Sequence, residues 1–317
     1  MKNSLSLQKE LNLVKKLIKN EIIEEKTISD LYKYIFKSDG KRLRAKLSLI
    51  TSSLNKRKNK KRFKLAAVIE LLHTATLVHD DVVDESQTRR GIKSVNNLWS
   101  NAHSVLIGDY IYSKAFILMV EIGESKILSE LANATNDISK GELIQLDALQ
   151  NLSINLRQLE AISYFKTGRL FEASARSGAI LSEGDANFIK NVSKCAKYLG
   201  ILFQVKDDLL DYSLKEEVIG KPVFQDMKEG KVTYPFYFAY KNADKKDKTT
   251  LKSYLGKNKF NIKKAYNLIH QLSGIKETEL LASEYLNKAV TAANSINNKH
   301  IKEEMLKLIN SALYRKK

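Results

Sequence analysis

Only two prolines, Pro222 and Pro235, interrupt 317 residues, so the residue that most often breaks helices is nearly absent. Apolar residues recur at three- and four-residue steps along almost the whole length, as in Leu7, Leu11, Val14 and Ile18. That spacing lines one face of an α-helix. No stretch alternates apolar and polar residues as a half-buried strand would. The expectation is an all-α protein, with helices near 28–37, 42–54, 63–84, 103–122, 125–149, 155–181, 185–212, 233–242, 260–272 and 276–315. Two of these, 63–84 and 185–212, are apolar around most of their circumference, which predicts burial on all sides. Neither a solenoid repeat nor a domain linker is evident, so residues 1–317 read as a single domain. Candidate mobile segments are the basic loop at 55–62 and the polar, Gly- or Lys-rich stretches at 85–101, 213–232 and 241–258.

The formal charge of +18 suggests nucleic acid, but basic residues are spread along the chain and mixed with 36 acidic ones. The densest run, Lys56-Arg57-Lys58-Asn59-Lys60-Lys61-Arg62, holds no aromatic to stack on a base and reads as a solvated loop. No nucleic-acid partner is expected. Cys195 is the only cysteine and the first twenty residues lack the apolar stretch of a signal peptide, so a reducing, cytoplasmic location is expected. The apolar runs are far shorter than the roughly 20 residues that span a bilayer. Membrane contact is therefore expected only at the periphery.

The run LLHTATLVHDDVVDES crowds Asp80, Asp81 and Asp84 into about one turn at the end of an apolar helix. Like charges so close repel, and partial burial adds a desolvation cost, so a cation is needed to stabilise them. An exposed acidic helix end is the bland alternative. It weakens because GILFQVKDDLLDYS repeats the spacing with Asp207, Asp208 and Asp211. Hard carboxylate oxygens suit magnesium, which takes one or two carboxylates per segment and fills its octahedron with water and phosphate oxygens. The pattern points to a diphosphate bridged by metal between two helices.

A diphosphate also needs fixed cations. SDGKRLRA supplies Lys41, Arg42 and Arg44 at a helix start, and QTRRG places Arg89 and Arg90 just after the first acidic cluster. Lys221 in IGKPV and Lys231 in KEGKVTYP follow the second cluster, in a stretch suited to act as a lid. His73 lies two turns before Asp80 and shares its face, so it is a candidate donor to a second diphosphate or a core-packed histidine. His79 reads as packing or as support for the site. The residues do not assemble a Ser/His/Asp or Cys/His nucleophile.

These residues, with GKRLR, SVLIGDYIYSKAF, GELIQL, FKTGRLFEASARSGA, FQVKDDLLDY and GKPVFQDMKEGKVTYP in that order, make the chain resemble the trans-isoprenyl diphosphate synthase (polyprenyl synthetase) family. The closest resemblance is to its long-chain, octaprenyl-forming bacterial members. It implies an all-α isoprenoid-synthase bundle with a central active-site cavity, acting as a homodimer. It also implies three magnesium ions per site, held by Asp80, Asp81, Asp84, Asp207 and Asp211, with Asp208 in the same motif. By resemblance, Arg89, Lys166, Thr167, Gln204, Lys221 and Lys231 contact the allylic diphosphate, of farnesyl or geranyl type. Lys41, Arg44, His73 and Arg90 correspond to the isopentenyl diphosphate pocket. The catalytic set implied is Asp80, Asp81, Asp84, Lys166, Asp207, Asp208 and Lys221. Departures from the family pattern are Asp39 and Phe224 in place of glycine, Ala45 in place of proline, and Lys206 before the second acidic motif. Phe224 bears on the lid's conformation and Lys206 on the charge at the metal site.

The reaction implied ionises the allylic C–O bond, adds isopentenyl diphosphate head to tail and loses a proton, with released pyrophosphate as the base. Ala75 and Thr76, about a turn before Asp80, are small where short-chain members carry aromatics. The expected product is therefore long, of octaprenyl length and destined for quinone side chains. Phe116, Leu118 and Met119 are candidates for a deeper stop, although each reads equally as core. A geranylgeranyl or farnesyl synthase is the alternative. A non-catalytic subunit of a heteromeric synthase would have lost metal ligands, and a terpene cyclase would not need the GKRLR and RRG elements.

Overall fold

In a computed structural model, residues 6–21, 25–37, 40–55, 60–89, 91–213 and 223–313 are described. The protein is all-α, as expected: α1 (Leu7–Asn20), α2 (Lys26–Ile35), α3 (Leu43–Thr51), α4 (Lys61–Val83), α5 (Val95–Leu98), α6 (Asn101–Ile122), α7 (Ser125–Asp147), α8 (Leu156–Ser163), α9 (Arg169–Leu181), α10 (Ala186–Asp211), α11 (Gln225–Lys228), α12 (Tyr234–Asn242), α13 (Lys245–Tyr254), α14 (Ile262–Gln271), α15 (Gly274–Asn294) and α16 (Lys299–Leu313). Two compact units are distinguished. One comprises Met1–Thr135, Leu170–Ser193 and Ser295–Met305, and the other Asn136–Arg169, Lys194–Asn294 and Leu306–Lys317.

In the first unit α4 packs against α1, α3 and α6. Leu65 to Leu72 of α4 are buried without a break, the environment that its all-round apolar pattern predicts. The basic run differs from expectation. Residues 56–59 lie outside the described set, but Lys61 and Arg62 form the first turn of α4 instead of a loop. Arg62 grips Glu10 of α1 with Nη1 and Nη2 at 2.6 and 3.2 Å and donates to the Leu49 carbonyl at 2.6 Å. Both side chains are nearly out of solvent, at 13% and 10% exposure. Removing one partner leaves a buried charge uncompensated, so Arg62→Met should cost about 3 kcal/mol. Urea unfolding, with an unchanged slope and a lowered midpoint, checks this.

In the second unit α12 packs on α15 over an aromatic-rich core that includes Tyr212, Phe224, Tyr234, Phe236 and Phe238. The stretch 241–258, expected to be mobile, forms α13, because the Asp244 side chain accepts from Asp247 N–H and Leu251 is buried. Two further expectations need correction. The helix predicted at 276–315 breaks after Asn294, and α16 begins with the Asn298 side chain accepting from Ile301 N–H. Within 85–101, Thr88–Arg89 and Ile92–Lys93 pair as a short antiparallel hairpin, turning at Gly91 with φ 78°. Strands of two residues are too short for an alternation signal.

Candidate active site

The first acidic set ends α4. Asp81 is buried at 3% exposure, Asp80 is part-buried, and Asp84 caps the helix, its N–H donating to the Asp80 carbonyl at 2.8 Å. The hairpin after the helix returns Arg89 to this end, where its Nε donates to Asp81 Oδ1 at 2.7 Å. Asn96 and Ser86 donate to the Asp81 carbonyl and hold the return. Nothing in the sequence singled out Tyr112 of α6, yet burial and the charge of Asp80 push its phenol up to about 12. His79 Nε2 lies 3.2 Å from the Val105 carbonyl and 3.4 Å from an Asp109 oxygen, a supporting position. A Cβ at Gly108 would meet that nitrogen at 2.1 Å, so glycine there leaves room for the imidazole in this position.

In the same unit Arg44 Nη1 donates to His73 Nε2 at 3.0 Å, and the guanidinium lies 4.6 Å from the Phe171 ring centroid. Two of the four residues assigned to isopentenyl diphosphate are thus brought together. Lys41 is exposed, and Arg90 lies outside the described residues. Ala45, a departure from the family's proline, uses its N–H to donate to the buried Glu70 at 3.2 Å, a bond proline cannot make. Ala75 is fully buried in the core, whereas Thr76 is part-exposed and donates to the His73 carbonyl at 2.8 Å. Leu118 and Met119 are core residues, while Phe116 is 38% exposed and stacks on Tyr112.

The second acidic set belongs to the other unit. Asp208 is buried at 5% exposure and heads a relay: Thr167 Oγ1 donates to Gln204 Oε1 at 2.7 Å, and Gln204 Nε2 donates to Asp208 Oδ1 at 2.8 Å. Thr167 and Lys166 sit in a π-turn, Tyr164–Gly168, inserted between α8 and α9. Such wide turns re-aim side chains and cluster at functional sites. Lys166 Nζ is held by Glu142 Oε2 and Gln145 Oε1, both at 2.8 Å. A Cβ at Gly141 would lie 2.9 Å from the Lys166 backbone nitrogen, so glycine permits the π-turn to approach α7. Glu142 and Gln145 had no assigned role, although the stretch GELIQL contained them three residues apart.

A fourth carboxylate, Asp226, joins this set. Burial raises Asp208 and Asp211 well above the usual carboxylate range, and the charge of Asp226 raises both further. Asp226 itself is pushed up to about 6, by burial above all, although Lys231 pulls it down. Lys231 Nζ pairs with Glu229 at 2.7 Å. Lys221 lies outside the described residues. Buried carboxylates this crowded fit a hard cation, which would relieve both the desolvation and the repulsion. Among the described residues no three carboxylate or imidazole groups form a closed ligand cluster. Magnesium does not require one, since water and phosphate oxygens complete its shell.

The glycine departure at Phe224 is accommodated in the left-handed conformation glycine would take, with φ 57°. That conformation costs about 1–2 kcal/mol. Offsetting it, the ring is fully buried against Tyr212 and Phe260, at 4.8 and 6.2 Å between centroids; burying a phenylalanine contributes about 2–3 kcal/mol.

All-helical units carrying aspartate sets, with glutamine, threonine, lysine and arginine around them, define a class of proteins that handle diphosphates. The family model "Polyprenyl synthetase" matches residues 25–272, and the chain belongs to that family. It is a prenyltransferase, of the long-chain trans-prenyl diphosphate synthase kind. Among its relatives is the octaprenyl diphosphate synthase of Escherichia coli (strain K12), 33% identical over 290 residues, or 91% of this chain and 90% of the relative. A decaprenyl diphosphate synthase from Rhodobacter capsulatus has a similar structure, with a TM-score of 0.92 at 32% identity, covering 98% of each chain. A polyprenyl synthase from Caulobacter crescentus, solved with calcium and isoprenyl diphosphate, gives 0.92 at 31% identity over 100% of both.

Proposed function

We propose that the protein is an octaprenyl diphosphate synthase, extending an allylic diphosphate of farnesyl or geranyl type with isopentenyl diphosphate to supply quinone side chains. The observation that carries this reading is the Thr167–Gln204–Asp208 relay, which ties two diphosphate contacts to a buried carboxylate whose charge calls for a cation. Of the five aspartates that the resemblance assigns to magnesium, Asp80, Asp81, Asp84, Asp207 and Asp211, the first four are the ligands proposed here. Bound magnesium supplies the Lewis acidity that lets the diphosphate depart.

The chain's own residues bind and orient. Arg89, Lys166, Lys221 and Lys231 engage the allylic diphosphate, Lys166 from a position set by Glu142 and Gln145. Lys41, Arg44, His73 and Arg90 hold isopentenyl diphosphate so that its double bond faces the allylic carbon. Arg44 donates to His73 Nε2 and so turns that imidazole.

A homodimer is part of the proposal. Helix α6 exposes Leu106 (68%), Ile117 (51%) and Val120 (67%) along one side. Exposed apolar residues gathered on one side of a helix fit an interface, and a second copy of this chain is the proposed cover. Among the described residues no helix is long and apolar enough to cross a membrane. A cytoplasmic enzyme that meets the bilayer only to release product is the proposed setting.

The test is incubation with magnesium, farnesyl diphosphate and labelled isopentenyl diphosphate, followed by sizing of the dephosphorylated products. Octaprenol is the expected product. A stop at geranylgeranyl length would keep the chemistry and replace the product, and no elongation from any allylic primer would overturn the reading.

A further inference from the structure

Asp211, the last carboxylate of the second acidic set, ends α10, and three successive backbone amides gather on it. Phe224 N–H donates to its carbonyl at 2.8 Å, Gln225 N–H to Oδ1 at 2.9 Å and Asp226 N–H to Oδ2 at 3.2 Å. Each carboxylate oxygen therefore has a backbone donor, and these bonds favour the charged form against the burial that opposes it. Both side-chain oxygens are thereby turned onto the backbone of 225 and 226.

The segment these amides belong to is also held from the side. The buried Phe224 ring packs on Tyr212, the residue that follows Asp211. The segment in turn places the rest of the set: the Asp226 carbonyl accepts from Lys231 N–H at 2.8 Å, and the Asp226 side chain is close enough for its charge to act on Asp208 and Asp211.

Resting on the reading that Asp207 ligates magnesium, we infer that Asp211 is a positioning residue. Its backbone and carboxylate latch 224–226 and thereby set where Asp226 and Lys231 stand relative to Asp207 and Asp208, while the metal is left to other carboxylates.

The full-length variants Asp211→Asn, Asp211→Ala and Asp207→Ala separate latch from ligand. In Asp211→Ala, hydrogen exchange of the amides of Gln225 and Asp226 should quicken by about tenfold or more. Asp211→Asn keeps one acceptor oxygen and should show a smaller change, whereas Asp207→Ala should show none. Magnesium binding measured calorimetrically with inorganic pyrophosphate should weaken strongly in Asp207→Ala and stay within about twofold of the parent in Asp211→Asn. Unchanged exchange in both Asp211 variants would overturn the latch, as would an Asp211→Asn protein that loses magnesium as Asp207→Ala does. Exchange needs no turnover, so the latch stands or falls separately from the proposed reaction.

Discussion

Replacing Asp80 or Asp207 by alanine should lower turnover by roughly 10²- to 10³-fold or more, about 3–4 kcal/mol of lost transition-state stabilisation. Folding stability should barely change. The two carboxylates occupy corresponding first positions in the two sets, and each is part-buried. Removing one carboxylate from a crowd also relieves repulsion among the rest. Asp208 would be a poorer choice for this test, because it is buried and accepts from Gln204. Its loss would strand the relay and mix a packing defect with a catalytic one. Single-turnover rates at saturating magnesium, read alongside thermal unfolding, provide the measurement. Near-parental rates in both variants would sink the assignment of metal to the two aspartate sets.

Thr76→Phe should convert a long product into one only a few isoprene units long. An octaprenyl tail is roughly 40 Å when extended, comparable to about 25 residues of helix at the usual rise, and it must run away from the diphosphate. A ring one turn before Asp80 would stand in that path. The two small residues there are not equivalent. Ala75 is fully buried in the core, so a ring at that position overpacks it at a cost of about 1–3 kcal/mol. Thr76 is part-exposed and its hydroxyl donates to the His73 carbonyl in its own helix, so the fold should tolerate phenylalanine. Product sizing of both variants, with unfolding midpoints, separates the effects. A stably folded Thr76→Phe enzyme with an unchanged product would place the stop elsewhere.

The all-helical class was legible because it rests on a local pattern, and the two acidic sets and their basic companions were read from the same kind of neighbourhood. Scarcity of proline, three- and four-residue apolar spacing and paired aspartates need only the residues around them. The same locality explains what was misjudged. Arg62 sat in a run of lysines and read as solvated, yet its partner is Glu10, far away in the chain. α13 looked like a lysine-rich loop because one buried leucine and one capping aspartate are a faint signal beside many charges. The π-turn that carries Lys166 and Thr167 has no sequence signature, since the extra residue is accommodated by packing against α7 at Gly141.

By itself, then, the sequence determined the kind of helices this chain forms and the chemistry of the groups they carry, because propensity, spacing and charge are properties of neighbours. Tertiary structure alone decided which partners those groups have: Glu142 and Gln145 on Lys166, Gln204 between Thr167 and Asp208, and the amides of Gln225 and Asp226 on Asp211. Apart from the one-turn step from Gln204 to Asp208 within α10, those pairings join residues well separated along the chain, and they form when burial makes an unsatisfied polar group costlier than the ordering needed to satisfy it.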